Sequence, residues 1–175
     1  MIPELDRVLD PAYLAALSDA PIERVRAMRA ECTDLENGAS YVRRLAQGRL
    51  DLLAEETKRR ADGGGGNLRE LVESLADMMG EGVRAPCSGR VDQELDPPDH
   101  VVAPLSDVLD RVAGPSVVTS VAELDDDELA QALTGVRNFE EQLSTARRTL
   151  HGAIDSLNNE LARRIASGEA PAGPA

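Results

Sequence analysis

The sequence has 175 residues and a formal net charge of −13, with two Tyr, one Phe and no Trp. That length fits one modest domain, and a core so poor in large side chains suits a narrow helix–helix seam better than a thick globular interior. The acidic balance excludes binding to bare nucleic acid, whose phosphates need a basic surface, and leaves a basic protein partner or plain solubility.

In chain order, residues 1–18 read as an N-terminal segment with one short helix, from Pro11 to Leu17, which carries Tyr13, Leu14 and Leu17 on one side. Residues 19–62 read as a first long helix. Ser18 or Asp19 can cap it, Pro21 and Glu23 suit its first turn, and the Pro-free pattern runs to about Ala61, where the Gly63–Gly66 run stops it. Residues 63–122 read as a partly disordered Gly/Pro-rich connector. It holds an amphipathic stretch from Leu68 to Met79 and a possible short helix from Leu105 to Val112, separated by Pro86, Pro97, Pro98 and Pro104. Residues 123–167 read as a second long helix that opens on the acids Asp125 to Asp127, with residues 168–175 as a disordered tail.

A first helix of about 42 residues would be ~63 Å long, and a soluble helix of that length packs along another. Apolar residues recur at alternating spacings of three and four: Val25, Met28, Cys32, Leu35, Ala39, Val42, Ala46 and Leu53, with Arg49 as the exception. The second helix repeats the seam 104 residues later as Leu129, Ala132, Val136, Phe139, Leu143, Ala146, Leu150, Ala153 and Leu157. These are heptads, so the expected fold is all-α: a long antiparallel two-helix coiled-coil hairpin.

The same offset aligns polar residues. Glu36, Ser40, Arg43, Gln47 and Asp51 correspond to Glu140, Ser144, Arg147, His151 and Asp155. Arg44 with Arg148, Gly48 with Gly152, Glu56 with Glu160, Arg59 with Arg163 and Arg60 with Arg164 match as well. Between residues 36 and 60, ten of 25 positions are identical at this offset, against roughly two or three for chance helical composition. With Ala39 as heptad a, Glu36 and Arg43 fall at e, Ser40 and Gln47 at b, and Asp51 at f; the second copy takes the same letters. Only an antiparallel pairing opposes e with e, so only that pairing brings both copies to one side of the seam. Levelling Arg43 with Arg147 sets Val25 beside Ile165 and Ala61 beside Leu129. A solvated ion-pair face would account for the charges, but not for glycines in register inside both helices, where each costs about 1 kcal/mol. A ligand that approaches the backbone closely accounts for them.

The pattern Glu-x3-Ser-x2-Arg-x3-Gln-x3-Asp resembles the signature of the RsiG family, the cyclic di-GMP-dependent anti-sigma factors of actinomycetes. The first copy matches throughout and the second departs once, at His151. Two copies in one chain resemble the streptomycete form, and eighteen Arg to one Lys fits a high-GC actinobacterial source. The resemblance implies a non-enzymatic regulator that binds a pair of cyclic di-GMP molecules on the coiled coil and, through them, holds the sporulation sigma factor WhiG inactive. It implies ligand contacts from the ten motif residues, to which Arg44 and Arg148 are natural additions.

The chemistry is compatible with that ligand. A guanidinium reads guanine O6 and N7 bidentately, a carboxylate accepts from N1–H and N2–H₂, and adenine offers that carboxylate no N1–H. Leu14 and Leu17 are candidate sigma contacts. The rival is a purely structural coiled-coil adaptor with no nucleotide ligand. A carboxylate-bridged metal bundle is disfavoured because no Glu-x-x-His occurs and arginines stand among the acids. Cys32 and Cys87 lack metal-ligand spacing, so Cys32 is expected as a small seam residue and no metal is expected. No signal peptide or membrane-length apolar run is read, so the expected location is the cytoplasm, without membrane or direct nucleic-acid contact.

Overall fold

A computed structural model describes residues 2–63 and 97–169. The described residues form helices and turns without a strand: α1 (Pro3–Leu9), a 3₁₀ turn (Pro11–Leu14), α2 (Ile22–Ala61), α3 (Asp99–Ala113), α4 (Pro115–Thr119), a second 3₁₀ turn (Val121–Glu123) and α5 (Asp126–Ala166). The chain forms two compact units. Of the described residues, the first holds 2–43, 97–108 and 141–169; the second holds 44–63 and 109–140. Helices α2, α3 and α5 contribute to both.

The two long helices lie where the heptads place them. All eight apolar seam positions of α2 and all nine of α5 are buried. Each fully buried Leu or Val among them contributes roughly 1.5–3 kcal/mol. Within each unit α2 and α5 run antiparallel. In the first, Arg29 donates to Asn158 at 2.6 Å and Arg147 donates to Glu36 at 2.9 Å. In the second, Gln47 donates to Glu140 at 3.4 Å and Arg60 to Asp126 at 2.7 Å. This is the all-α helical hairpin read from the heptads. The register differs by about one turn from the levelling of Arg43 with Arg147, which sets Leu161 beside Arg29 and Leu143 beside Gln47. Seam packing, rather than the level of the polar residues, decides register; the shift brings Glu36 within reach of both Arg147 and His151.

Helix α3 begins at Asp99, well before the Leu105 start read from Pro104. A proline inside a helix removes one backbone bond and crowds the preceding turn. Here the cost is offset by an apolar stripe, Val101, Leu105, Leu109 and Ala113, each at most 1% exposed. Two glycines let α3 come close. A Cβ on Gly38 would lie 2.5 Å from Val101 Cγ1 in the first unit, and one on Gly135 would lie 2.6 Å from Val112 Cγ1 in the second. Both glycines are heptad g positions, so in each unit α3 approaches the g edge of the seam; in the first unit Glu36 and Arg147 face each other along the e edge. Arg49, the exception in the seam, donates to the Ala113 carbonyl and to Asp110, both at 2.6 Å. It places a cation at the C-terminus of α3, where the helix dipole favours one.

The N-terminal segment holds more structure than expected. Ahead of the Pro11–Leu14 turn, α1 buries Ile2, Leu5 and Val8. Glu31 of α2 ties this region down, accepting from Arg7 and, at 2.8 Å, from the Tyr13 hydroxyl. Burial and the neighbouring Cys32 push the Tyr13 hydroxyl up to about 12. Cys32 is a buried seam residue. The Leu68–Met79 stretch and Cys87 lie outside the described residues.

The ends of the long helices show what Glu56, Arg59 and Arg60 do, and what Glu160, Arg163 and Arg164 repeat. In the second unit Glu56 is fully buried and accepts from Arg59 and Arg60, and Arg60 donates onward to the Val121 and Leu124 carbonyls just before α5. In the first unit Glu160 accepts from Arg163 and Arg164, and Arg164 donates to the Leu17, Ser18 and Ala20 carbonyls just before α2. The last turn of each long helix thereby pins the segment leading into the other. Hydrogen bonds from Arg59 hold the Glu56 carboxyl down to about 2, against a smaller opposing effect of burial; those from Arg163 and Arg164 hold Glu160 at about 2.

Candidate functional site

The first unit contains Glu36, Ser40, Arg43, Ser144, Arg147, His151 and Asp155 of the repeated motif, and the second contains Gln47, Asp51 and Glu140. Both copies show the same gradient of exposure. Glu36, Ser40 and Arg43, like Glu140, Ser144 and Arg147, are half-buried. Gln47 and Asp51, like His151 and Asp155, are exposed. The e positions sit against the seam edge, while successive b and f positions turn toward solvent. The repeat is therefore one of environment as well as of sequence.

In the first unit three side chains converge on Glu36. Ser40 Oγ donates to its Oε1 at 2.7 Å, Arg147 Nε and Nη2 donate at 3.0 and 2.9 Å, and His151 Nε2 lies at 3.0 Å. Burial raises the Glu36 carboxyl, but the bonds from His151, Ser40 and Arg147 outweigh it and leave the group below its ordinary value. Glu36 is thus an anion at neutral pH, and the imidazole that bonds it must carry its proton on Nε2. In the second unit the counterpart contact is Gln47 Nε2 to Glu140 Oε1 at 3.4 Å. In both places the first residue of one copy meets the fourth residue of the other. The sequence supplied all the participants, but not this cross-pairing, which depends on the one-turn shift in register.

Arg148 is exposed and braced on its own helix, donating to Thr145 Oγ1 at 3.0 Å. Arg44 is exposed on α2. Gly48 and Gly152 are also exposed, and a Cβ on either would meet nothing within 4 Å. Among the described residues nothing packs against these two glycines, unlike Gly38 and Gly135. In the first unit, Arg43 and Arg147 offer guanidinium groups, Ser40 and Ser144 hydroxyls and Asp155 a carboxylate, beside the bare helix backbone at Gly152. Such a surface can hydrogen-bond a polar, anionic, planar ligand without covalent chemistry.

Leu14 and Leu17, the candidate partner contacts, are half-buried in the N-terminal region, and the Leu17 carbonyl is taken up by Arg164. No group of three or more metal-ligating side chains occurs among the described residues, and none of the described helices is long and apolar enough to cross a membrane. The family model described as RsiG-like matches residues 11–78 and 116–174. A search of the curated proteins found no match.

Proposed function

The chain belongs to the RsiG-like family of anti-sigma factors, and from that premise we propose that it binds cyclic di-GMP through its repeated motif and, so loaded, sequesters a WhiG-type sporulation sigma factor. The observation that carries this reading is the motif itself: ten residues in two copies, alike in spacing, in burial and in how the first residue of one copy meets the fourth of the other.

The donors and acceptors fit the ligand. Arg147 is 25% exposed and keeps donor capacity toward solvent beside Glu36, and the His151 ring is 58% exposed there. Arg43 and Arg147 are guanidiniums for guanine O6 and N7 or for phosphate oxygens. Asp51 and Asp155 are exposed carboxylates for the guanine N1–H and N2–H₂ edge. Arg44 and Arg148 offset phosphate charge at the rim, and Ser40 and Ser144 supply hydroxyls. Gly48 and Gly152 let a flat base lie directly on the helix backbone.

A shallow surface on a two-helix coil covers only part of a nucleotide, leaving surface for the sigma factor. The acidic chain suits the basic DNA-reading face of such a partner, which would place the protein in the cytoplasm. Calorimetric titration with cyclic di-GMP and cyclic di-AMP tests the ligand assignment. Saturable binding of the first and none of the second is expected; equal heats for both contradict guanine recognition.

One observation favours the rival structural adaptor. Glu36 is already held by Ser40, Arg147 and His151, as in an ion-paired face that needs no ligand. A ligand that binds the folded chain must raise its melting temperature, whereas an adaptor's melting temperature is indifferent to the dinucleotide.

A further inference from the structure

We propose that His151 makes ligand binding by the second copy proton-linked: this half of the motif engages a phosphodiester oxygen of the dinucleotide only as an imidazolium. The inference rests on the cyclic di-GMP reading and deepens it, since it concerns what the single departure from the repeated pattern does.

The fourth motif position has one duty that the structure shows directly, which is to hold the first residue of the other copy. Gln47 does so with its amide nitrogen on Glu140, and His151 does so with Nε2 on Glu36. The two side chains differ in what remains. An amide NH₂ has two hydrogens, so Gln47 keeps one N–H and its carbonyl after serving Glu140. A neutral imidazole has one N–H, and Glu36, being ionised, takes it. The Nδ1 lone pair left on the exposed edge of the ring repels a phosphate oxygen. A proton on Nδ1 converts that edge into a donor and adds a positive charge, which restores what Gln supplies and exceeds it.

The charged groups around His151 keep this balance sensitive. From α2 it faces Glu36; along α5, Arg147 lies four residues before it, Arg148 three before, and Asp155 four after. With a neutral imidazole these two acids and two bases cancel. With an imidazolium the cluster carries one net positive charge toward a dianionic ligand. By linkage, a ligand that prefers the protonated ring must also draw a proton onto it.

The full-length chain can be titrated with cyclic di-GMP at constant ionic strength between about pH 6 and pH 8, the interval in which imidazoles titrate. Parallel titrations in buffers of different ionisation heat count the protons taken up. The wild-type chain should bind about five- to tenfold tighter at the lower pH, the effect of one added charge near a phosphate at a partly exposed surface, with net proton uptake on binding. His151→Gln should bind equally at both pH values, more weakly than the wild type at the lower pH because it lacks the added charge, and without proton uptake. Gln47→His should steepen the pH dependence. The proposal is overturned if the wild-type chain binds equally at both pH values, or if His151→Gln retains the same pH dependence and proton uptake. If the wild-type chain binds no cyclic di-GMP at any pH, the ligand reading falls and this inference falls with it; pH-independent binding sinks this inference alone.

Discussion

Four glutamates recur in the 104-residue repeat, and they divide by what they touch. Glu36 and Glu140 meet residues of the opposite motif copy at a solvent-facing edge, whereas Glu56 and Glu160 are closed in by arginines of their own helix. The second pair are heptad d residues, and Arg60 and Arg164 are heptad a. The seam therefore ends in a polar clamp at each helix terminus. The repeat was legible in the sequence, but pairwise identity alone does not tell the edge pair from the clamp pair. The heptad letter does: a charged residue at a or d must find a partner inside the protein.

The depressed carboxyls of Glu56 and Glu160 give a pH prediction. Each is held at about 2, below its ordinary 4.5, so its contribution to stability is complete above about pH 4.5 and is lost as the pH falls toward 2. Thermal unfolding followed by circular dichroism should show the melting temperature dropping across that interval. Glu56→Gln should lower the melting temperature at pH 7 and flatten the acid branch; an unchanged acid branch when Glu56→Gln and Glu160→Gln are combined would mean that other carboxylates govern it. Asp51→Ala and Asp155→Ala, by contrast, should leave the melting temperature nearly unchanged and weaken cyclic di-GMP binding. A loss of stability without a loss of binding would remove both aspartates from the site.

At the level of elements, the four helix-interior glycines among the described residues fall into two classes. Gly38 and Gly135 have Val101 and Val112 of α3 against them, and Gly48 and Gly152 have nothing. Gly38→Ala must push α3 away and should cost about 1–3 kcal/mol, as overpacking does. Gly152→Ala should stabilise the fold by about 0.5–1 kcal/mol through helix propensity, yet weaken ligand binding. Denaturant melts and titrations on the same samples separate the two effects. If Gly152→Ala binds as tightly as the wild type, close approach of a base to that helix is wrong. The long helices were readable from periodicity because a heptad seam is a one-dimensional signal. Helix α1 was not, since seven residues are too few to show a period. Helix α3 was half-read: Pro104 masked its first turns, and its place on the g edge depends on glycines whose role shows only once α3 is packed beside them.

For the molecule as a whole, membership of the RsiG-like family supports an anti-sigma role, and the repeated motif carries the proposal of cyclic di-GMP as ligand. The acidic net charge of −13 predicts that capture of a sigma factor weakens as salt rises, because complementary charge steers and holds the complex. If the chain binds both as proposed, the coupling is reciprocal, and cyclic di-GMP tightens sigma binding by the factor that sigma tightens cyclic di-GMP binding. A coupling of about 3 kcal/mol corresponds to roughly 150-fold in each direction. The most direct test is a calorimetric titration of a WhiG-type sigma factor into the chain at low salt, alone, with cyclic di-GMP and with cyclic di-AMP. The account predicts tight binding with cyclic di-GMP only, and loss of that dependence when Arg43→Ala and Arg147→Ala are combined. Equal sigma binding without the dinucleotide, or ligand-dependent capture that survives the double substitution, would contradict it.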